Sequence, residues 1–288
     1  MSRGLRAKQG QATVEIVERG WYETAGGRRV EIADDVRHCL ANTSLHTPNQ
    51  LQELVDRTQS PAMRQQTTPL TYHVTGETTL EAARRWVTRH NRPNVLALNF
   101  ASAKNPGGGF LGGSQAQEES LARSSALYAS LLTQPTYYDV NRASSSALYT
   151  DHLILSRDVP VFRDDYGNLL ETPYPLSILT APAVNAGAVQ TNSPQLAPQI
   201  LPAMRARLTK LLALAAAENF EHLLLGAWGC GVFRNDPRAI AQLFADALLH
   251  DHRFRGRFHT VTFAVLDTTP DQRIISPFQE AFAHANSR

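Results

Sequence analysis

The sequence predicts an α/β layered domain, and three observations predict it. From Tyr72 onward, short apolar runs of strand length alternate with helical periodicities. Two of those runs lead directly into glycine-rich segments, at residues 107–113 and 226–231. The chain of 288 residues is 42% hydrophobic and 19% charged, which is ordinary globular usage with ample material for a buried core.

In chain order, Gln11 to Glu18 has helical character. Arg28 to Ile32 reads as a short strand after a Gly26-Gly27 turn. Asn42 to Pro69 is rich in Thr, Gln, Ser and Pro, and reads as a loop with one short helix near Gln50 to Asp56. Residues 1–70 are therefore expected to be an extension packed on a domain spanning 71–288. Thr78 to His90 reads as a helix: Thr78 and Glu81 form a capping-box pair, and Leu80, Ala83 and Val87 share a face. Val95 to Phe100 is a buried strand, and Gln117 to Leu132 a single helix. His152 to Ser156, Val159 to Phe162 and Leu176 to Ala181 are strand candidates, the middle one weakened by Pro160. A turn, Asp164 to Asn168, separates the last two. Ala197 to Glu218 is a long Ala/Leu-rich helix and His222 to Gly226 a strand. Asp236 and Pro237 have the residue types of an N-cap and first helical position, opening a helix to about His250. Phe258 to Leu266 alternates like a strand. Ser276 and Pro277 open a closing helix to Ala285.

Composition excludes several classes. A net charge of +2 does not demand a nucleic-acid groove. The only cysteines, Cys39 and Cys230, form no CxxC pair, so neither a zinc ribbon nor a disulfide framework is supported. Arg3, Arg6 and Lys8 are followed by no apolar signal region, and no run approaches the roughly 20 apolar residues of a membrane helix. The expectation is a soluble cytoplasmic protein without a membrane partner.

The first chemical constellation runs from Asn99 to Glu119. Gly107, Gly108 and Gly109 let backbone N–H groups approach a ligand closely, and Gly112 and Gly113 keep the loop thin. After a spacer of seven residues come Gln117, Glu118 and Glu119, at the first turn of a helix, where the macrodipole favours a carboxylate. Neither the dinucleotide GxGxxG spacing nor a phosphate-loop GK[ST] ending is present. The second constellation is Gly226-Ala227-Trp228-Gly229-Cys230-Gly231-Val232-Phe233, between a strand and a helix start. Such a turn offers N–H donors and a positive dipole end to a phosphate.

The triple glycine, the spacer and Gln117-Glu118-Glu119 together resemble the signature of poly(ADP-ribose) glycohydrolases, and the whole segment is similar to the bacterial branch of that family. The second segment resembles the diphosphate-clasping loop of macrodomains. Val261 to Asp267 is similar to the last core strand, near which adenine is held. The resemblance implies a macrodomain-like three-layer α/β/α fold with a mixed central sheet and a mostly helical N-terminal extension. It implies a hydrolase that cleaves the ribose–ribose bond of poly(ADP-ribose) and releases ADP-ribose. Its partners would be the polymer and ADP-ribosylated proteins, its setting the reversal of ADP-ribosylation in the DNA damage response, and its state a monomer. It needs no cofactor or metal, because the substrate supplies the charge and the protein the donors.

The resemblance gives Glu119 the acid and base roles, Glu118 the ribose hydroxyls and Gln117 an orienting amide. Asn105, Gly107, Gly108 and Gly109 would line the ribose, and Gly229, Cys230, Gly231, Val232 and Phe233 would wrap the diphosphate, with Phe233 on the distal ribose. Where the vertebrate pattern has Asp-Phe-Ala-Asn, this chain has Asn99-Phe100-Ala101-Ser102, which leaves Asn105 as the expected polar contact. Most glycosidases place two carboxyls on opposite sides of the bond, roughly 5–10 Å apart. Adjacent helical residues diverge by about 100°, so Glu118 and Glu119 are expected to point apart and one carboxyl to do both proton transfers. To start protonated near neutral pH, Glu119 would need its pKa raised by burial, by Glu118 and by the substrate phosphates.

Other signals read as structure. His250-Asp251-His252 sits at a helix end rather than forming a metal pair. Cys230 has no histidine nearby in sequence to make it a nucleophile. His252 to Arg257 is a solvated basic loop, and Trp86 and Trp228 are packing residues. The competing functions are a macrodomain that binds ADP-ribose without cleaving it, which has no need of Gln117-Glu118-Glu119, and a hydrolase of single protein-linked ADP-ribose.

Overall fold

The computed structural model describes residues 1–58, 70–89 and 94–285. Its centre is a seven-stranded mixed sheet. In chain order the first elements are α1 (Arg3–Arg19), a hairpin of β1 (Trp21–Glu23) and β2 (Arg29–Glu31), α2 (Ala33–Ala41), β3 (Thr43–His46) and α3 (Pro48–Arg57). Then come β4 (Thr71–Thr75), α4 (Thr79–Arg84), β5 (Val95–Phe100), α5 (Gln117–Ser124), α6 (Leu127–Leu132) and α7 (Pro135–Ala143). The chain continues through β6 (Leu153–Arg163), β7 (Leu169–Ala181), α8 (Ala186–Asn192), α9 (Ile200–Ala217), β8 (His222–Leu225), α10 (Pro237–Ala245), β9 (Thr260–Ala264) and α11 (Ser276–Phe282).

The strand order is β3-β6-β7-β5-β8-β9-β4. Strands β7, β5, β8, β9 and β4 run parallel; β6 pairs antiparallel to β7, and β3 antiparallel to β6. Alternation along β5 divides the core. Leu96 and Leu98 pack with residues of α3, α9, α10 and α11, while Val95 and Ala97 pack with residues of α1, α2, α4, α5, α6 and α7. The result is three layers, helices on each face of the sheet. Because β5 and β8 are parallel neighbours, the loops that follow them emerge side by side at the carboxyl edge, where ligands bind in open α/β sheets.

Local chemistry explains most element ends. Thr78 and Glu81 form the expected capping box, as do Thr47 and Gln50 at α3. Asp236 caps α10 through the Arg238 N–H, with Pro237 in the first turn. At α11 the cap is Ile275 rather than Ser276. Among the described residues, no helix is long and apolar enough to cross a membrane.

Several expectations need correction. The first helix is longer than expected, because Ser2 caps it at Leu5 N–H and Gly20 closes it at φ 78°. The stretch read as loop from Asn42 holds β3, which pairs with β6. Residues 59–69 of that stretch, and His90 of the helix opening at Thr78, lie outside the described residues. The two strands expected on either side of residue 157 are one strand, β6, with a bulge between Ser156 and Val159. Pro160 then sits opposite Pro175, so neither missing N–H removes a ladder bond. The helix expected over Gln117 to Leu132 is two. Ser125 is extended (φ −151°, ψ 178°) and bridges to Val161. Its Oγ donates to Leu121 O at 2.7 Å and accepts from Leu127 N at 3.2 Å, serving both helix ends.

Candidate active site

Strand β5 ends at Phe100 and the chain returns through residues 101–116 to the start of α5, so the first turn of that helix faces the strand it left. Gln117 ties the two together. Its Nε2 donates to Leu98 O at 2.8 Å and Thr79 Oγ1 at 3.2 Å, and its Oε1 accepts from Phe100 N at 2.9 Å. Glu118 is buried: Oε2 accepts from Ser102 N at 2.7 Å, and Oε1 from Asn99 Nδ2 at 3.3 Å. Glu119 is half-buried, and its Oε1 accepts from Gly109 N at 3.0 Å.

The two carboxyls do not point apart as the helical angle implied. Both reach back over Gly108, which adopts φ +61°. A Cβ there would overlap Glu119 Oε1 and lie 3.1 Å from Glu118 Oε2. The glycine is required at this position by its backbone and by the two acids above it. Asn105 stands at the loop's exposed rim, with its N–H on Ser102 Oγ at 3.1 Å and its carbonyl on Gly108 N at 3.0 Å.

Desolvation acts strongly on Glu118. Burial pushes its carboxyl up from 4.5 to about 8, against the opposing pull of the Ser102 N–H and the Asn99 amide; the neighbouring Glu119 charge adds to the rise. The folded chain therefore holds a proton that the unfolded chain releases between those two values. This contribution to stability is full below pH 4.5 and is lost as pH rises to about 8. Glu118→Gln, which mimics the neutral acid, should flatten that part of the profile. Melting temperatures of both proteins from pH 5 to 8 check this; parallel curves would remove the assignment.

The N-terminal helix grips the same loop from outside. Arg3 Nε donates to Gly112 O at 3.0 Å and Arg6 Nε to Gly113 O at 2.8 Å. Gly10 lies against Phe110, and a Cβ on Gly113 (φ +74°) would overlap the Arg3 carbonyl oxygen. Thr13 Oγ1 donates to Arg123 O, and Arg123 in turn donates to Ser114 O at 2.7 Å and to Gln115 Oε1. Nothing in the spacing of Arg3 and Arg6 announced this; the contact joins residues more than a hundred positions apart.

The loop after β8 begins at Gly226, where a Cβ would lie 2.6 Å from Ala264 O and 2.8 Å from the Phe100 ring. Trp228 is buried and donates to Ala181 O, and Asn235 Nδ2 donates to Val184 O and Gly229 O, so the loop is anchored to the end of β7. Gly229 (φ +76°) packs against Ala183. Beyond it, the N–H groups of Gly231, Val232 and Phe233 find no acceptor among the described residues. Val232 is 81% exposed. Phe233 is half-buried, its ring 6.0 Å from that of Tyr149. Burial pushes the Cys230 thiol up to about 12, which removes it as a nucleophile. A cleft of about 520 Å³ opens beside Gln117, with Phe100, Ala264, Val265 and Leu266 in its wall.

The family model for the microbial-type PARG catalytic domain matches residues 10–164, which include the whole of the first loop and the paired glutamates. The chain belongs to the microbial-type PARG family. Solved members are similar throughout. The poly(ADP-ribose) glycohydrolase of Thermomonospora curvata is 46% identical, with 97% of this chain and 100% of that one covered and a TM-score of 0.92. The same enzyme bound to the inhibitor ADP-HPD gives 45% identity over 97% and 100%, with a TM-score of 0.89. The poly(ADP-ribose) glycohydrolase of Deinococcus radiodurans in complex with ADP-ribose is 49% identical over 88% and 98%, with a TM-score of 0.81. A comparison with curated protein sequences found no match. The macrodomain-like fold of these microbial-type PARGs is the fold described above.

Beside the residues read from sequence, the candidate site of this PARG-family chain includes Asn99, Ser102 and Thr79, which hold Glu118 and Gln117 in place. Asn99 and Ser102 were visible only as a departure from the vertebrate pattern, and Thr79 carried no signal.

Proposed function

We propose that this chain hydrolyses the ribose–ribose O-glycosidic bond of poly(ADP-ribose) and releases ADP-ribose. The observation that carries the reading is the convergence of two carboxyls on Gly108, one of them fixed by Gly109 N–H, beside a loop with three consecutive uncommitted amides. Those amides, at Gly231, Val232 and Phe233, suit a diphosphate. Gly229 and Cys230 shape the turn that presents them. The cleft walled by Phe100, Ala264, Val265 and Leu266 suits a flat base such as adenine. The Phe233 ring holds the distal ribose with its C1″ toward Glu119, and Asn105 and the glycine triplet line the sugar.

Glu119, in its acid form, donates a proton to the ribose oxygen that leaves C1″. The carbon–oxygen bond breaks to an oxocarbenium-like centre, steadied by the substrate's own diphosphate. Water attacks that carbon and the Glu119 carboxylate takes its proton, which restores the acid and consumes one water per bond. Glu118 accepts from ribose hydroxyls, and Gln117 holds the first turn of α5 against β5 so that both acids stay over Gly108.

Labelled polymer and mono-ADP-ribosylated protein offered side by side test the reading. Release of free ADP-ribose from polymer is expected; release only from the mono-modified protein would overturn it.

The amide loop gives a clean variant. A Cβ at Gly231 would have no heavy atom within 4 Å beyond its chain neighbours. Gly231→Val should therefore fold normally while its side chain fills the space a diphosphate needs. Loss of one or two charge-assisted hydrogen bonds corresponds to about 10- to 100-fold weaker ADP-ribose binding. Calorimetry on the folded variant with unchanged affinity would take the loop out of the site.

A further inference from the structure

We propose that Glu221, His222 and His259 form a binding site for a divalent transition-metal ion, zinc by its ligand set, at the amino ends of β8 and β9. This is the sheet edge opposite the catalytic loops, and the reaction proposed above routes no step through it. One ligand atom from each residue lies within 4.8 Å of the other two. Glu221 Oε2 is 3.4 Å from His259 Nδ1 and 3.9 Å from His222 Nε2. A tetrahedral zinc with bonds of about 2.0–2.1 Å sets neighbouring ligand atoms about 3.3–3.4 Å apart. Along the two measured edges the ligand atoms need to close by at most about half an ångström, and the third edge, between the histidines, lies within 4.8 Å.

The ligands are held before any ion arrives. His259 N and Thr260 N both donate to Glu221 O, at 2.7 and 3.3 Å, which clamps the two chain segments together. His222 is buried, stacked on the Trp86 indole at 5.8 Å and 14°. Its Nδ1 is hydrogen-bonded to the Thr260 hydroxyl, which turns Nε2 toward Glu221. Metal-bound histidines are commonly fixed in this way, through the nitrogen that does not bind the metal. Glu221 and His259 remain partly exposed, at 42% and 25% of their side-chain surface, which leaves an entry path and an open coordination position for water. Two imidazoles and one carboxylate suit zinc; magnesium and calcium take oxygen ligands in larger number. The competing account is that Glu221 only pairs with the two histidines when they are protonated.

Calorimetric titration of Zn²⁺ into the tag-free, metal-stripped chain separates the two. One ion per chain is expected, with a rise in melting temperature that Mg²⁺ does not produce, since an ion bound only by the folded state stabilises it. His259→Ala, and independently Glu221→Gln, should weaken Zn²⁺ binding on the order of tenfold or more and abolish the thermal shift, with polymer hydrolysis unchanged. Equal Zn²⁺ uptake by wild type and both variants, or no uptake by any of them, would overturn the site.

Discussion

Glu119→Gln is expected to keep its affinity for ADP-ribose and to lose polymer hydrolysis by about 10⁴-fold, the upper end of general acid–base catalysis. The amide preserves shape and still offers an oxygen to Gly109 N–H, so the loop should stay as it is. What disappears is the proton given to the leaving oxygen and the base that receives one from water. Both steps depend on one atom pair, so no second carboxyl makes up the loss. Glu118 is assigned to the ribose hydroxyls, and the Ser102 N–H and Asn99 amide hold its carboxyl in that place, so it does not stand in for Glu119 at the leaving oxygen. Single-turnover rates on labelled polymer, with ADP-ribose affinity measured on the same preparation, provide the check. A variant retaining even about a tenth of wild-type turnover would show that Glu119 does not carry both transfers.

Gly108→Ala should lower turnover by about 100-fold, the scale expected when a reacting group is misplaced by about an ångström. The methyl group would overlap Glu119 Oε1 and stand 3.0 Å from its Cδ. The carboxyl would have to move, and it would lose the Gly109 N–H as it did so. The residue also sits at φ +61°, where an alanine costs roughly 1–2 kcal/mol of stability. Gly112→Ala is the matched control in the same loop. A Cβ there meets nothing within 4 Å and φ is not left-handed, so both rate and melting temperature should stay near wild type. Equal losses in the two variants would mean that the loop responds to any substitution, and not to crowding of the acids.

Elements whose pattern is local were legible in the sequence. β5 stands as an apolar run before glycines, α10 is opened by Asp236 and Pro237, and α4 by Thr78 and Glu81. Elements decided by distant partners were not. The break at Ser125 depends on a bridge to Val161, and serine is common inside helices. β3 exists because β6 offers it an edge, although its own Thr-Ser-Leu-His carries no strand periodicity. The length of β6 depends on a bulge that aligns Pro160 with Pro175. In the site, the glycines and glutamates were legible because few residue types serve those purposes. The direction of the Glu118 and Glu119 side chains was not. It is set by the amides of Ser102 and Gly109, which the loop brings back over the helix start.

The grip of Arg3 and Arg6 on Gly112 and Gly113 also bears on how the molecule breathes. Proteins open in cooperative parcels, and the parcel boundaries follow contacts rather than chain order. Here the first turns of α1 and the stretch 110–113 should open as one such parcel, although the two lie far apart in sequence. Fraying of the first turn of α1 would release the loop whose Gly109 amide steadies Glu119. The lifetime of the assembled acid is thus tied to the lifetime of the first helical turn.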